Sequence, residues 1–276
     1  MKLRKPDAGQ ILLYIYCGAV FCFLAAPIAI LFITSFTAGE TVAFPPEGLS
    51  VRWYLKVFDH LRDAPGEKPG LALALGLSLK IGAIVALLTS VAGVLAALVL
   101  YRHNFFGIEL LRQYFVLPLM FPHIVTGTAL LVLFSQFKIG QGEIRLTFGH
   151  MLLALPYVIT IVGAALQTMN PRLEEAAVGL GASGWKAFFL VTLPQIRPSV
   201  AAGAVFAFMT SFTAFTVSYF LYSVDAQPLP VWLYEYMAYY VSPMLAALST
   251  VLILVSVVAI FVIDRLVGIG RIAKRE

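Results

Sequence analysis

The chain has 276 residues, of which 61% are hydrophobic and 12% charged, and a formal net charge of +5. A water-soluble domain carries about 25% charged residues, and here the apolar residues come in long blocks rather than short periodic stripes, so an ordinary soluble fold is excluded. The basic residues sit at the ends of those blocks and are not interleaved with stacking aromatics, which excludes a nucleic-acid partner and leaves the bilayer as solvent.

A helix needs about 20 apolar residues to cross the hydrocarbon core, where an unpaired backbone polar group costs several kcal/mol. Six segments meet that length. The first covers about 11–36 and follows Lys2, Arg4 and Lys5. Its apolar run exceeds the roughly 7–15 residues of a secretory signal, so it is expected to remain as an anchor. Cys17 and Cys22 within it read as small buried apolar residues, not as a disulfide or metal site. In the loop that follows, Leu49, Trp53, Val57 and Leu61 recur at helical spacing, which predicts a short amphipathic helix.

The second span covers about 75–101, with Lys80 close enough to its outer end for the long stem to reach the interface. The third and fourth cover about 110–137 and 148–169. Pro27, Pro118, Pro122 and Pro156 interrupt the first, third and fourth, and each predicts a kink that protein or a wet cavity must satisfy. The third and fourth spans are therefore expected to face the interior of a bundle. The fifth, about 199–222, carries Thr210, Ser211, Phe212, Thr213, Thr216 and Ser218. These residues either line a solute path or bond to neighbouring helices. Trp232, Tyr234, Tyr236, Tyr239 and Tyr240 crowd the last connection as an aromatic interface belt or a docking surface. The sixth span covers about 244–266.

With six spans both termini share one side. That side carries Lys2, Arg4, Lys5, Arg102, Arg112, Arg172, Lys186, Arg197, Arg265, Arg271, Lys274 and Arg275; the other carries only Arg52, Lys56, Arg62, Lys68, Lys138 and Arg145. The excess of positive charge predicts both termini in the cytoplasm.

The connection 170–198 is too structured for a plain linker. Asn170 and Pro171 make a helix start. Leu173, Ala176, Ala177 and Leu180 fall on one face, and Gly181 supplies the positive φ that ends the helix. Ser183 can cap a second helix, with Trp185, Phe188 and Phe189 as its apolar face and Leu193-Pro194 as its stop. Such a pair either inserts into a groove on a partner or caps the bundle against water.

Glu175-Ala176-Ala177, three residues, Gly181, nine residues, Val191, one residue and Leu193-Pro194 resemble the EAA signature of the membrane subunits of binding-protein-dependent ABC importers. Val191 stands where that family usually has isoleucine, a loss of one methylene. The resemblance covers essentially the whole chain and is strongest to the spermidine/putrescine-type permeases. It implies an all-α, polytopic six-transmembrane-helix bundle of the ABC importer permease (MetI-like) type, forming one permease domain in a bacterial inner membrane. It implies as partners a cytoplasmic ATPase dimer, which would hold the ATP and magnesium, a second permease in a heterodimer, and a periplasmic solute-binding protein. Glu175 would make the polar contact with the ATPase, and Ala176, Ala177 and Gly181 would allow its close approach. The polyamine permeases usually carry an acidic residue or pair where this chain has Thr213 and Ala214. That departure weakens the attraction for a cationic amine in this subunit and leaves open an amino acid derivative, an aminophosphonate, an opine or a complexed metal, or a charge supplied by the partner permease.

The sequence has no G-x-x-x-x-G-K-[ST] phosphate loop, no H-E-x-x-H and no G-x-S-x-G, so no cofactor or catalysis is expected on this chain itself. His60, His103, His123 and His150 are scattered, and His123 is expected to be a hydrogen-bonded bundle residue. A secondary transporter or channel subunit working without an ATPase is the competing reading. It calls for intramembrane ionisable residues and inverted repeats, and the sequence offers only Lys80.

Overall fold

A computed structural model describes residues 7–62 and 70–267, with side chains left aside at residues 8 and 259–267. Lys2, Arg4, Lys5, Lys68, Arg271, Lys274 and Arg275, on which the orientation argument draws, lie outside the described residues. The chain divides into two units, 1–63 with 236–261 and 64–235 with 262–276.

In the first unit, α1 (Ala8–Thr34) opens on a capping box, in which Asp7 Oδ1 accepts from the Gln10 amide at 2.8 Å and Gln10 Oε1 from the Asp7 amide at 3.1 Å. Cys17 and Cys22 are free and exposed on it, not buried as expected. A helix apolar all round gives no sequence sign of which side meets lipid. The amphipathic helix is α2 (Arg52–Arg62), which buries Trp53 and Val57. The Trp53 indole and the Arg52 guanidinium both donate to the Gly39 carbonyl, at 3.3 and 2.8 Å. Leu49 lies before the helix and is exposed, so the apolar face is shorter than its spacing predicts. The last helix, α12 (Met244–Val267), has an apolar stretch over Met244–Val258.

The second unit is organised on three helices packed side by side: α3 (Leu71–Arg102), α6 (Gly142–Thr168) and α9 (Leu193–Phe212). Ile81, Val85, Leu153, Val158, Val162 and Ala207 form their shared core. Without a hydrophobic drive inside a bilayer, helices associate through close packing and polar contacts, which small residues permit. Gly93 is such a residue: a Cβ there would lie 2.6 Å from Val158 Cγ1.

The third expected span is not one helix. It is α4 (Ile108–Val116), a 3₁₀ turn (Leu117–Leu119) and α5 (His123–Gln136), with a 99° bend between the two arms. Pro118 sits in the tight turn and Pro122 caps α5 from outside it, so two prolines four residues apart turn the chain where one would kink it. The fifth expected span is broken as well. α9 stops at Phe212, and α10 (Phe215–Leu221) restarts beyond Thr213 and Ala214 to pack on α5. A further helix, α11 (Leu229–Tyr239), follows, its Leu229 amide donating to Ser78 Oγ at 2.8 Å. Among the described residues four helical stretches are long and apolar enough to cross a membrane, or five if the bent pair counts as one.

Candidate functional site: the loop between the fourth and fifth spans

After α6 the chain enters α7 (Arg172–Gly179), where Asn170 Oδ1 accepts from the Arg172 amide at 3.1 Å. Glu174 and Glu175 occupy its first turn, the end of the helix dipole that favours carboxylates. The C-terminal end closes as a Schellman turn: the Gly181 amide donates to the Val178 carbonyl at 2.9 Å and the Ala182 amide to the Ala177 carbonyl at 3.1 Å. Gly181 takes φ +93, which only glycine adopts freely.

Ser183 then caps α8 (Gly184–Ala187), accepting from the Lys186 amide at 3.4 Å. This helix does not stop at Leu193-Pro194. It passes through a π-helical turn, Phe188–Thr192, and runs straight into α9. The reason is hydrogen-bond register. The Leu193 amide reaches back five residues to the Phe188 carbonyl, and in the widened turn a proline that lacks an N–H costs little.

No residue of α7 is buried. Leu180 is 91% exposed and Trp185 70%, with Leu173, Ala176, Phe189 and Leu190 also exposed. Of the expected apolar faces only Ala177 and Phe188 turn partly inward. Trp185 and Phe189 stack with centroids 6.3 Å apart. Glu175 is exposed and makes no ion pair among the described residues, while Gly181 has open space where a Cβ would stand.

Glu174 behaves differently from its neighbour. Its carboxylate accepts from Arg102, at the end of α3, and from the Thr192 hydroxyl in the π turn. Burial pushes its carboxyl up, but the hydrogen bonds from Thr192 and Arg102 and the charge of Arg102 outweigh that, holding it below the usual carboxylate range.

In the fifth span Ser211 is buried, Thr210, Phe212 and Thr216 are half-buried, and Thr213 is exposed at the break with its hydroxyl on the Met209 carbonyl at 2.8 Å. Ser211 and Ser218 converge on one of the four histidines that lie scattered along the sequence. His150 of α6 is buried, with Nδ1 2.8 Å from Ser211 Oγ and Nε2 2.9 Å from Ser218 Oγ. The expected bundle histidine, His123, is instead exposed in the first turn of α5. Lys80 does not merely extend outward: its Nζ lies 2.6 Å from Glu143 Oε2, beside a recess of about 290 Å³ bordered also by Asp225 and Gln227. Opposite charges at matching ends of the second and fourth spans were the signal that could have found that pair.

Several helices long and apolar enough to cross a membrane, with a structured loop between two of them, define a polytopic membrane protein. The chain belongs to the family of binding-protein-dependent transport system inner membrane components, whose model matches residues 89–269. It is 32% identical over 240 residues to the putrescine transport system permease protein PotI of Escherichia coli (strain K12), covering 84% of this chain and 82% of that protein. It is 31% identical over 252 residues to the spermidine/putrescine transport system permease protein PotC of the same strain, covering 91% and 92%. A solved bacterial ABC transporter that imports the acidic polysaccharide alginate superposes with a TM-score of 0.72 over 93% of this chain and 95% of that one; at 15% identity this shows the fold alone. The protein is an ABC importer permease of MetI-like fold, a membrane component similar to the polyamine permeases.

Proposed function

We propose that residues 170–198 are the docking element through which a cytoplasmic ABC ATPase, holding the ATP and magnesium, drives this permease. The observation that carries the reading is the exposure of Leu180 and Trp185 together with Glu175, which makes no ion pair among the described residues, on a helix pair that buries only Ala187. A helix pair that merely capped the bundle would turn those side chains inward. Exposed apolar anchors around a free carboxylate suit a groove lined by apolar and cationic groups. In this reading Glu175 makes the polar contact, Ala176, Ala177 and Gly181 allow close approach, and Val191, Leu193 and Pro194 carry motion into α9. Both termini face the cytoplasm, a second permease completes the pathway, and a periplasmic solute-binding protein delivers the solute.

The solute class is a small organic amine or a related amino acid derivative or phosphonate. The named solutes of the similar permeases, putrescine and spermidine, support the amine. Thr210, Ser211, Phe212, Thr213 and Thr216 belong to the pathway segment. Their lack of a carboxylate assigns the recognition of positive charge to the partner permease and the binding protein.

The test is reconstitution with the ATPase, the second permease and the binding protein, using radiolabelled putrescine as probe. Glu175→Ala and Gly181→Trp are expected to abolish stimulated ATP hydrolysis and uptake while membrane insertion is unchanged. Uptake at the unmodified rate in both variants, or uptake in sealed vesicles without any ATPase, would refute the reading.

A further inference from the structure

The loop has to be attached to the spans as well as to a partner, and α7 has almost nothing with which to attach itself. It buries no residue, and Glu174 is its only side chain that hydrogen-bonds to another element among the described residues. That one carboxylate joins three segments. Arg102 ends α3, Glu174 stands in the first turn of α7, and Thr192, itself fully buried, closes the π turn that opens into α9. Arg102 is fixed on its other side by a contact of 3.8 Å to Met169 Sδ at the end of α6.

Each part of this arrangement is chemically specific. A guanidinium and a hydroxyl both donate to one carboxylate, in a partly buried place where such bonds are stronger than at the surface. π turns are rare and concentrate where a helix does more than support the fold. Here the turn places Thr192 so that its hydroxyl faces α7, whereas an unbroken α-helical register would rotate that side chain around the axis. We propose that Glu174 is the positioning residue that transmits displacement of α7 to the second and fifth spans through Arg102 and Thr192. It lies outside the surface that meets the ATPase. The proposal rests on the reading of 170–198 as the docking element, and it divides adjacent carboxylates by role: Glu175 faces the partner and Glu174 faces the bundle.

The test uses the assembled transporter in proteoliposomes, with Cys17→Ser and Cys22→Ser removing the exposed native thiols and Thr213→Cys reporting on the break in the fifth span. Maleimide labelling of that cysteine is compared with and without ATP and vanadate, a readout that needs no identified solute. In the parent, trapping the ATPase is expected to change the labelling rate about tenfold, within the usual range of coupling between sites. Glu174→Gln is expected to keep ATPase copurification and basal hydrolysis while the labelling response falls below about twofold, the low end of that scale. Thr192→Val, which preserves volume, is expected to weaken the response in the same direction and carries the test if Glu174→Gln is not inserted. The swap Arg102→Glu with Glu174→Arg is expected to restore part of the response, which a merely local loss of packing would not. An undiminished response in both single variants, or loss of the ATPase from Glu174→Gln, overturns the proposal alone. No response in the parent overturns the docking reading, and this inference with it.

Discussion

His150→Leu tests whether a buried imidazole holds the broken fifth span together. The Ser218 hydroxyl donates its one proton to the Ala214 carbonyl, so towards His150 it can only accept. Nε2 therefore carries a proton, and Nδ1 accepts from the Ser211 hydroxyl. One imidazole tautomer thus ties the end of α9 to α10 across Thr213 and Ala214. Leucine keeps the volume and removes both bonds. Interhelical hydrogen bonds in bilayers average about 0.6 kcal/mol and reach about 1.7, so the two are worth about 1–3 kcal/mol. Ser218 keeps its carbonyl partner, but Ser211 is left buried and unpaired, which adds about 1–3 kcal/mol. The expected loss is about 2–6 kcal/mol, read as a lower midpoint when purified permease is unfolded by titration with SDS. The discriminating measurement is the double-mutant cycle with Ser211→Ala. In the His150→Leu background Ser211→Ala should cost nothing or restore stability, giving a coupling of about 1 kcal/mol or more, well above the ~0.5 kcal/mol scatter of independent sites. Simple additivity of the two substitutions would refute the assigned tie.

Gly93→Ala should destabilise the α3 and α6 pair, because the new Cβ would lie 2.6 Å from Val158 Cγ1 and 2.9 Å from Val158 Cβ. The cost of such overpacking is about 1–3 kcal/mol, and Val158→Ala should relieve it; a Gly93→Ala protein with the parent's unfolding midpoint would show that α3 moves away freely. The lowered carboxyl of Glu174 gives the loop a pH dependence of definite sign. A group whose folded pKa is depressed contributes stability that is fully present above its unfolded value and lost as pH falls through the folded one. Protection of the α7 amides, normalised to intrinsic exchange at each pH, should therefore hold from neutral pH down to the ordinary glutamate range, 4.5 as the reference value, and decline below it. Glu174→Gln should abolish that decline, and an identical profile in the variant would remove Glu174 as its source.

Local chemistry made the loop legible in the sequence. Asn170, Gly181 and Ser183 each act within a few residues of themselves, through an amide or a φ value, and each does in the structure what its type predicts. The apolar blocks likewise placed the long helices α1, α3 and α6. Elsewhere a neighbour in space decides the outcome. Leu193-Pro194 looks like a stop because a proline ends an α register, and only the π turn before it, a tertiary feature, lets the helix continue. The prolines at 118 and 122 each predict a kink, but the bend they produce together depends on the angle between their planes. The partners of His150 lie 61 and 68 residues away and Arg102 lies 72 residues from Glu174, so neither cluster has a local signature. Cys17 and Cys22 are exposed rather than buried, and a uniformly apolar helix carries no sign of which side packs.

The two unforeseen polar clusters fall at the two irregularities of one element. The helix that leaves the loop and forms the fifth span departs from α geometry at Phe188–Thr192, ahead of the expected bounds of about 199–222, and again at Thr213-Ala214 within them. The break at Thr213-Ala214 frees backbone groups that would be costly in a bilayer, while the π turn widens the register at the loop end, and each is held by a side chain from a different helix: Thr192 by Glu174 of α7, Ser211 and Ser218 by His150 of α6. Between them, Leu193–Phe212 is one continuous helix of 20 residues, with Pro198 inside it. A displacement taken up at its Glu174 clamp is expected to reach the break at its far end through this one helix. The side chains flanking that break, Thr210, Phe212, Thr213 and Thr216, are the same ones that the sequence nominates for the solute path. Weakening either clamp should separate motion at one end of α9 from motion at the other, so Glu174→Gln and His150→Leu are expected to share one phenotype: ATP hydrolysis that continues while the labelling response at Thr213→Cys is lost. A variant pair in which one clamp uncouples and the other leaves the response intact would show that α9 bends between them.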